Sequence, residues 1–78
     1  MNIQIITPDK TIFSGEIKLA QFPGIDGSFE VMRKHAPMIA ALKKGRIKLR
    51  TPDDKDHFFE ISAGVLEVLK DKLLVLAG

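Results

Sequence analysis

Turn-forming residues interrupt this chain so often that no long element can form. Pro8-Asp9, Pro23-Gly24, Asp26-Gly27, Lys44-Gly45, Pro52-Asp53-Asp54 and Lys70-Asp71 punctuate the 78 residues. Proline presets φ for a turn, and Gly and Asp supply conformations that strands and helices avoid. Short apolar runs between such signals, spaced about 8–12 residues apart, point to an all-β sandwich or barrel. The runs themselves alternate. Ile3 and Ile5 alternate with Asn2 and Gln4, Ile47 and Leu49 with Arg46, Lys48 and Arg50, and Phe59 and Ile61 with Glu60 and Ser62. A period of two is the mark of strands with one buried face.

Strands are predicted near Asn2–Ile6, Thr11–Phe22, Ser28–Met32, Pro37–Leu42, Arg46–Thr51, His57–Ala63, Val65–Leu69 and Lys72–Leu76. Ile5, Ile17, Leu19, Ile47, Leu49, Ile61 and Val75 are expected inside. The run Leu73 to Ala77 is apolar at every position, which suits a strand covered on both sides or docked on a partner. Pro37 to Leu42 could also begin a helix, with Gly45 just past its end. So short a helix is marginal alone, and the extended form is preferred. Residues 1–78 read as one small domain.

Composition limits the chemistry. With no cysteine there is no disulfide and no thiolate metal site. No run approaches the ~20 apolar residues that span a bilayer, and the N-terminus lacks the pattern of a secretory signal. The expectation is a soluble protein, or one held at a membrane by other proteins. Ser14, Ser28 and Ser62 lack the context of a nucleophile elbow. His35 and His57 have no zinc-binding spacing. Asp53, Asp54 and Asp56 lack the glycine and final glutamate of a calcium loop. Gly24-Ile25-Asp26-Gly27-Ser28 lacks the lysine of a phosphate loop, so a tight turn is the better reading. No catalytic, metal or cofactor site is expected.

Charge is unevenly placed. Between Glu30 and Asp53 there is no acidic residue, and Arg33, Lys34, Lys43, Lys44, Arg46, Lys48 and Arg50 all fall there. A positive surface is expected from that window. It also supports an alternative, a small basic β-barrel that binds nucleic acid. Single-strand binders stack bases on aromatic side chains, and no aromatic residue lies between Phe29 and Phe58. The expectation is therefore no nucleic-acid partner.

Several segments, in order, resemble the N-terminal domain of the F-type ATP synthase epsilon subunit, the delta subunit of mitochondrial naming. They are Ile3-Gln4-Ile5-Ile6-Thr7-Pro8, Phe13-Ser14-Gly15-Glu16, Phe22-Pro23-Gly24, Gly27-Ser28-Phe29, His35-Ala36-Pro37-Met38, Leu42-Lys43-Lys44-Gly45, Ile61 through Val68, and Val75-Leu76-Ala77. Each is weak alone, but their order covers nearly the whole chain. The resemblance implies a flattened two-sheet antiparallel β-sandwich low on the central stalk. It implies a rotor part, not an enzyme, that packs on the gamma subunit and touches the polar loops of the membrane c-ring. Its place would be the cytoplasmic face of the cell membrane, reached only through the complex. Carried over by position, Asp26, Gly27 and Ser28 would face the c-ring, and His35, Ala36, Pro37, Met38 and Ala40 would lie near gamma. Arg33, Lys34 and His35, near in sequence to the Asp26–Ser28 loop, would form a basic rim for the c-ring contact.

Three positions depart from the family's pattern. Many relatives have Gly where Glu30 stands, and Pro then Gly or Asn where Arg33 and Lys34 stand. Many relatives also continue into a C-terminal helical hairpin that inhibits ATP hydrolysis or binds ATP. Residues 1–78 contain no such hairpin, so coupling without that inhibition is the expectation.

Overall fold

Alternation sets which side chains point inward, and the turns set where each strand stops. The computed structural model describes residues 1–78, with nine strands and no helix: β1 (Asn2–Ile6), β2 (Thr11–Glu16), β3 (Leu19–Gly24), β4 (Gly27–Met32), β5 (Met38–Leu42), β6 (Gly45–Arg50), β7 (Asp56–Ile61), β8 (Gly64–Leu69) and β9 (Lys72–Ala77). They form one curled sheet that folds into two leaves. Leaf one runs β2-β1-β9-β8-β5 and leaf two runs β4-β3-β6-β7. The leaves join through a single bridge, Gly24 to Leu42. Across from that joint, Phe13 of β2 meets Phe59 of β7, with ring centroids 5.5 Å apart. All strand pairs are antiparallel except β1–β9, which is parallel.

The inward positions make one apolar core of 16 buried residues, among them Ile3, Ile5, Phe22, Ile47, Leu49, Leu66 and Val75. No polar or charged residue is buried. Full burial of each large aliphatic or Phe side chain stabilises the fold by about 1.5–3 kcal/mol in transfer terms. That is the main favourable term for a chain without disulfides or buried ion pairs.

Two sequence expectations change. The single strand expected over Thr11–Phe22 is two strands, β2 and β3, broken at Ile17 and Lys18. The chain changes leaf there. The Ile17 N–H donates to the Met1 carbonyl at 2.9 Å, while the Lys18 N–H donates to the Arg50 carbonyl at 2.7 Å on the other leaf. The corner resets the parity, so Ile17 is buried as expected but Leu19 is only half-buried. It lies on the outer face, paired with Met32 and Arg50. The ambiguous segment is extended, as β5.

The β3–β4 hairpin turns through Ile25 and Asp26. Gly27 takes φ = 128°, a conformation that side chains rarely adopt. At Gly24 a Cβ would lie 2.6 Å from the Gly27 carbonyl oxygen and 2.8 Å from the Phe29 ring, so the tip closes only with glycine there. Lys34 has φ = 65°. That is the left-handed conformation that Gly or Asn adopts most readily. Lysine thus holds a left-handed turn after β4.

Candidate partner-binding surfaces

The two outer faces differ in kind. On leaf two, β6 presents Arg46, Lys48 and Arg50 outward, and the neighbouring strands answer them. Across β7 they face Glu60, Phe58 and Asp56 in register. Arg50 Nε donates to Asp56 Oδ1 at 2.8 Å, and Lys48 Nζ lies 3.7 Å from Asp56 Oδ2. The Arg46 guanidinium sits 4.5 Å from the centre of the Phe58 ring. Gln21 of β3 donates to Glu30 of β4 at 3.0 Å. The acid-free stretch of sequence is therefore not an acid-free surface, because folding brings acids of β7 alongside β6 and Glu30 of β4 to the far side of β3. The positive patch expected from sequence is a mixed one.

This arrangement has a pH consequence. The hydrogen bond from Arg50, then the charges of Arg50 and Lys48, hold the Asp56 carboxyl below its ordinary value of 3.8. A carboxyl depressed in the folded state stabilises the fold above its unfolded pKa. That contribution is lost as pH falls from about 4 through the depressed folded value. Acid titration of stability should therefore be shallower in Asp56→Asn than in the parent below about pH 4. Identical acid slopes would mean that this surface pair contributes nothing, as many do.

The outer face of leaf one is apolar from β5 across β8 to Leu74 and Leu76 of β9, and polar beyond, at Lys72 of β9, Asn2 and Gln4 of β1 and Ser14 and Glu16 of β2. In one row across β5, β8, β9 and β1, Ala41 pairs with Val65, Val65 with Leu76, and Leu76 with Ile6. In the next row Ile39 lies opposite Glu67, and Glu67 opposite Leu74. Ile39 is 73% exposed, Leu76 49%, Val65 42% and Leu69 40%. Contiguous exposed aliphatics on a sheet mark a binding surface. The all-apolar run Leu73 to Ala77 is resolved by this face. Leu73, Val75 and Ala77 point into the core, and Leu74 and Leu76 point out.

The residues expected near gamma divide. His35, Ala36 and Pro37 are exposed in the β4–β5 connection, and His35 Nδ1–H donates to the Ala36 carbonyl at 2.8 Å. Met38 and Ala40 lie on the inward parity of β5, opposite buried Val68 and Leu66, and Met38 packs on the core. Ile39 and Ala41 hold the outward positions that sequence reasoning passed over. Alternation could not choose, because Met38 to Leu42 is apolar throughout. The signal was in β8, where Glu67 must face water and Ile39 pairs with it.

Asp26, Gly27 and Ser28 are exposed at the β3–β4 tip. The tip is tied to β5: the Ile25 N–H donates to the Ala41 carbonyl at 3.1 Å and the Lys43 N–H to the Pro23 carbonyl at 2.8 Å. A shallow depression lined by Ile25, Asp26, Phe29, Ile39 and Ala41 runs between them. The structure does not bring Arg33, Lys34 and His35 to this tip. They follow the far end of β4, roughly 17 Å away at about 3.4 Å per residue. The basic rim expected from sequence is thus separated from the loop; Lys43 lies beside Pro23 at its base, and Arg46 and Lys48 line a depression with Ser28. Among all 78 residues no group of three or more His, Cys, Asp or Glu could hold a metal, and no helix is long and apolar enough to cross a membrane.

Residues 1–78 match the family described as ATP synthase, Delta/Epsilon chain, beta-sandwich domain. An ATP synthase epsilon chain of Chlorobium limicola is 42% identical over 74 residues, covering 95% of this chain and 84% of that one. One from Campylobacter jejuni subsp. doylei is 39% identical over 77 residues, covering 99% of this chain and 60% of the relative. The fold superposes with a TM-score of 0.90 on a chain of the Euglena gracilis mitochondrial ATP synthase structure containing OSCP, F1 and c-ring. The identity there is 17%, over 96% of this chain and 48% of that one.

Proposed function

The chain belongs to the ATP synthase delta/epsilon β-sandwich family, and from that membership we propose a rotor role in the central stalk. In this reading it is a non-catalytic subunit that couples gamma to the c-ring while ion flow drives ATP synthesis. It belongs to the membrane-associated ATP synthase complex, on the cytoplasmic face, and reaches the membrane only through its partners. The observation that carries the reading is the apolar outer face of leaf one, in a molecule whose buried residues are all uncharged and non-polar. Such a face serves binding.

Gamma is assigned to this face, with His35, Ala36 and Pro37 at its border and Met38 and Ala40 supporting Ile39 and Ala41 from beneath. The c-ring loops are assigned to Asp26, Gly27 and Ser28. One standard interface buries about 800 Å² on each side. The shared depression between the tip and β5 makes the two contacts neighbours, so a torque on one is passed through a short, hydrogen-bonded joint to the other.

The test is assembly. The chain should co-purify with gamma, and Ser28→Cys should form a disulfide with a cysteine placed in a c-subunit polar loop of the assembled complex. A cysteine at Asp53, in the β6–β7 turn at the opposite end, should not. Equal cross-linking from both positions, or no co-purification with gamma, would refute the assignment.

A further inference from the structure

Within the apolar face of leaf one stands one carboxylate. Glu67 occupies the middle of β8; its direct neighbours on the face are aliphatic, and Lys72 stands one diagonal step away on β9, opposite Leu69. Val65 and Leu69 flank it two positions away along the strand, and Ile39 and Leu74 face it across β5 and β9. It is half-buried and takes part in none of the ion pairs within the chain.

We propose that Glu67 determines the specificity of this face by receiving one Arg or Lys side chain from an otherwise apolar surface of gamma. The inference rests on the reading that gamma covers this face. While the face is open, water solvates the carboxylate. A purely apolar partner would strip that water and leave an unpaired ion in a low-dielectric contact, which is strongly unfavourable. A cation opposite Glu67 removes the conflict. The four surrounding aliphatic side chains would then exclude water from the pair and strengthen it. A guanidinium has the better geometry, since its planar fork can donate twice to one carboxylate. The lone acid also works against wrong partners, because apolar or acidic surfaces would bury it unmatched.

The experiment measures the dissociation constant of the gamma complex at low and high salt. Glu67→Gln keeps the size at an outward, half-buried strand position, so the fold should hold. Its affinity should fall by about tenfold or more at low salt, and its salt dependence should shrink. Glu67→Lys should abolish binding, and replacing gamma's Arg and Lys residues one at a time by Glu should restore it at a single position. Ile39→Asp is the control for the face. If Ile39→Asp releases gamma while Glu67→Gln binds as the parent does, the proposal is overturned and the face assignment stands. If neither substitution changes affinity, the face assignment itself has failed. Tighter binding by Glu67→Leu would also overturn the proposal, since the carboxylate would then only keep the free face from associating with itself.

Discussion

Leu49→Ala should remove about 2–5 kcal/mol of stability, the range for an aliphatic side chain cut from a packed core. Leu49 is fully buried on β6, between Ala20 of β3 and His57 of β7 in register. Ala20 has no length with which to fill the space, and the strands on both sides are held by ladder hydrogen bonds. The cavity should therefore persist rather than collapse. A domain of 78 residues has roughly 4–12 kcal/mol in all. The loss is thus a large share of the total. Urea unfolding should show the midpoint falling with little change in slope, the signature of a stability effect alone. A loss below about 1 kcal/mol would mean that the site repacks and the core is looser than described.

Ile39→Asp should have the opposite profile. Ile39 is 73% exposed, so the free protein should melt close to the parent. Binding to gamma should weaken by at least about 2 kcal/mol, roughly thirtyfold, as for a central apolar anchor. The new carboxylate would stand beside Glu67 across the strand pair, adding like-charge repulsion to the lost contact. Met38→Asp makes the contrast sharp. It places a charge on the inward side, against the core, and should lower the melting temperature before any effect on binding can be read. Should Met38→Asp leave the fold intact and release gamma while Ile39→Asp binds normally, the outward and inward sides of β5 have been assigned the wrong way round.

Local pattern by itself determined the strands, the turns and most of the core. A period of two and the Pro, Gly and Asp signals are properties of neighbouring residues, so β1, β6, β7 and β8 could be placed without a fold. The ordered motifs also carried the family. Three things were decided only by tertiary structure. The break at Ile17 and Lys18 depends on one N–H bonding to each leaf, and no local residue announces that change. The charge of β6 depends on which strand lies beside it, since Asp56 and Glu60 come from β7. The outward side of β5 depends on register with β8, because a strand apolar at every position has no alternation to read. In each case the deciding interaction joins residues distant along the chain. Sequence shows what each strand is made of, and pairing decides what each strand faces.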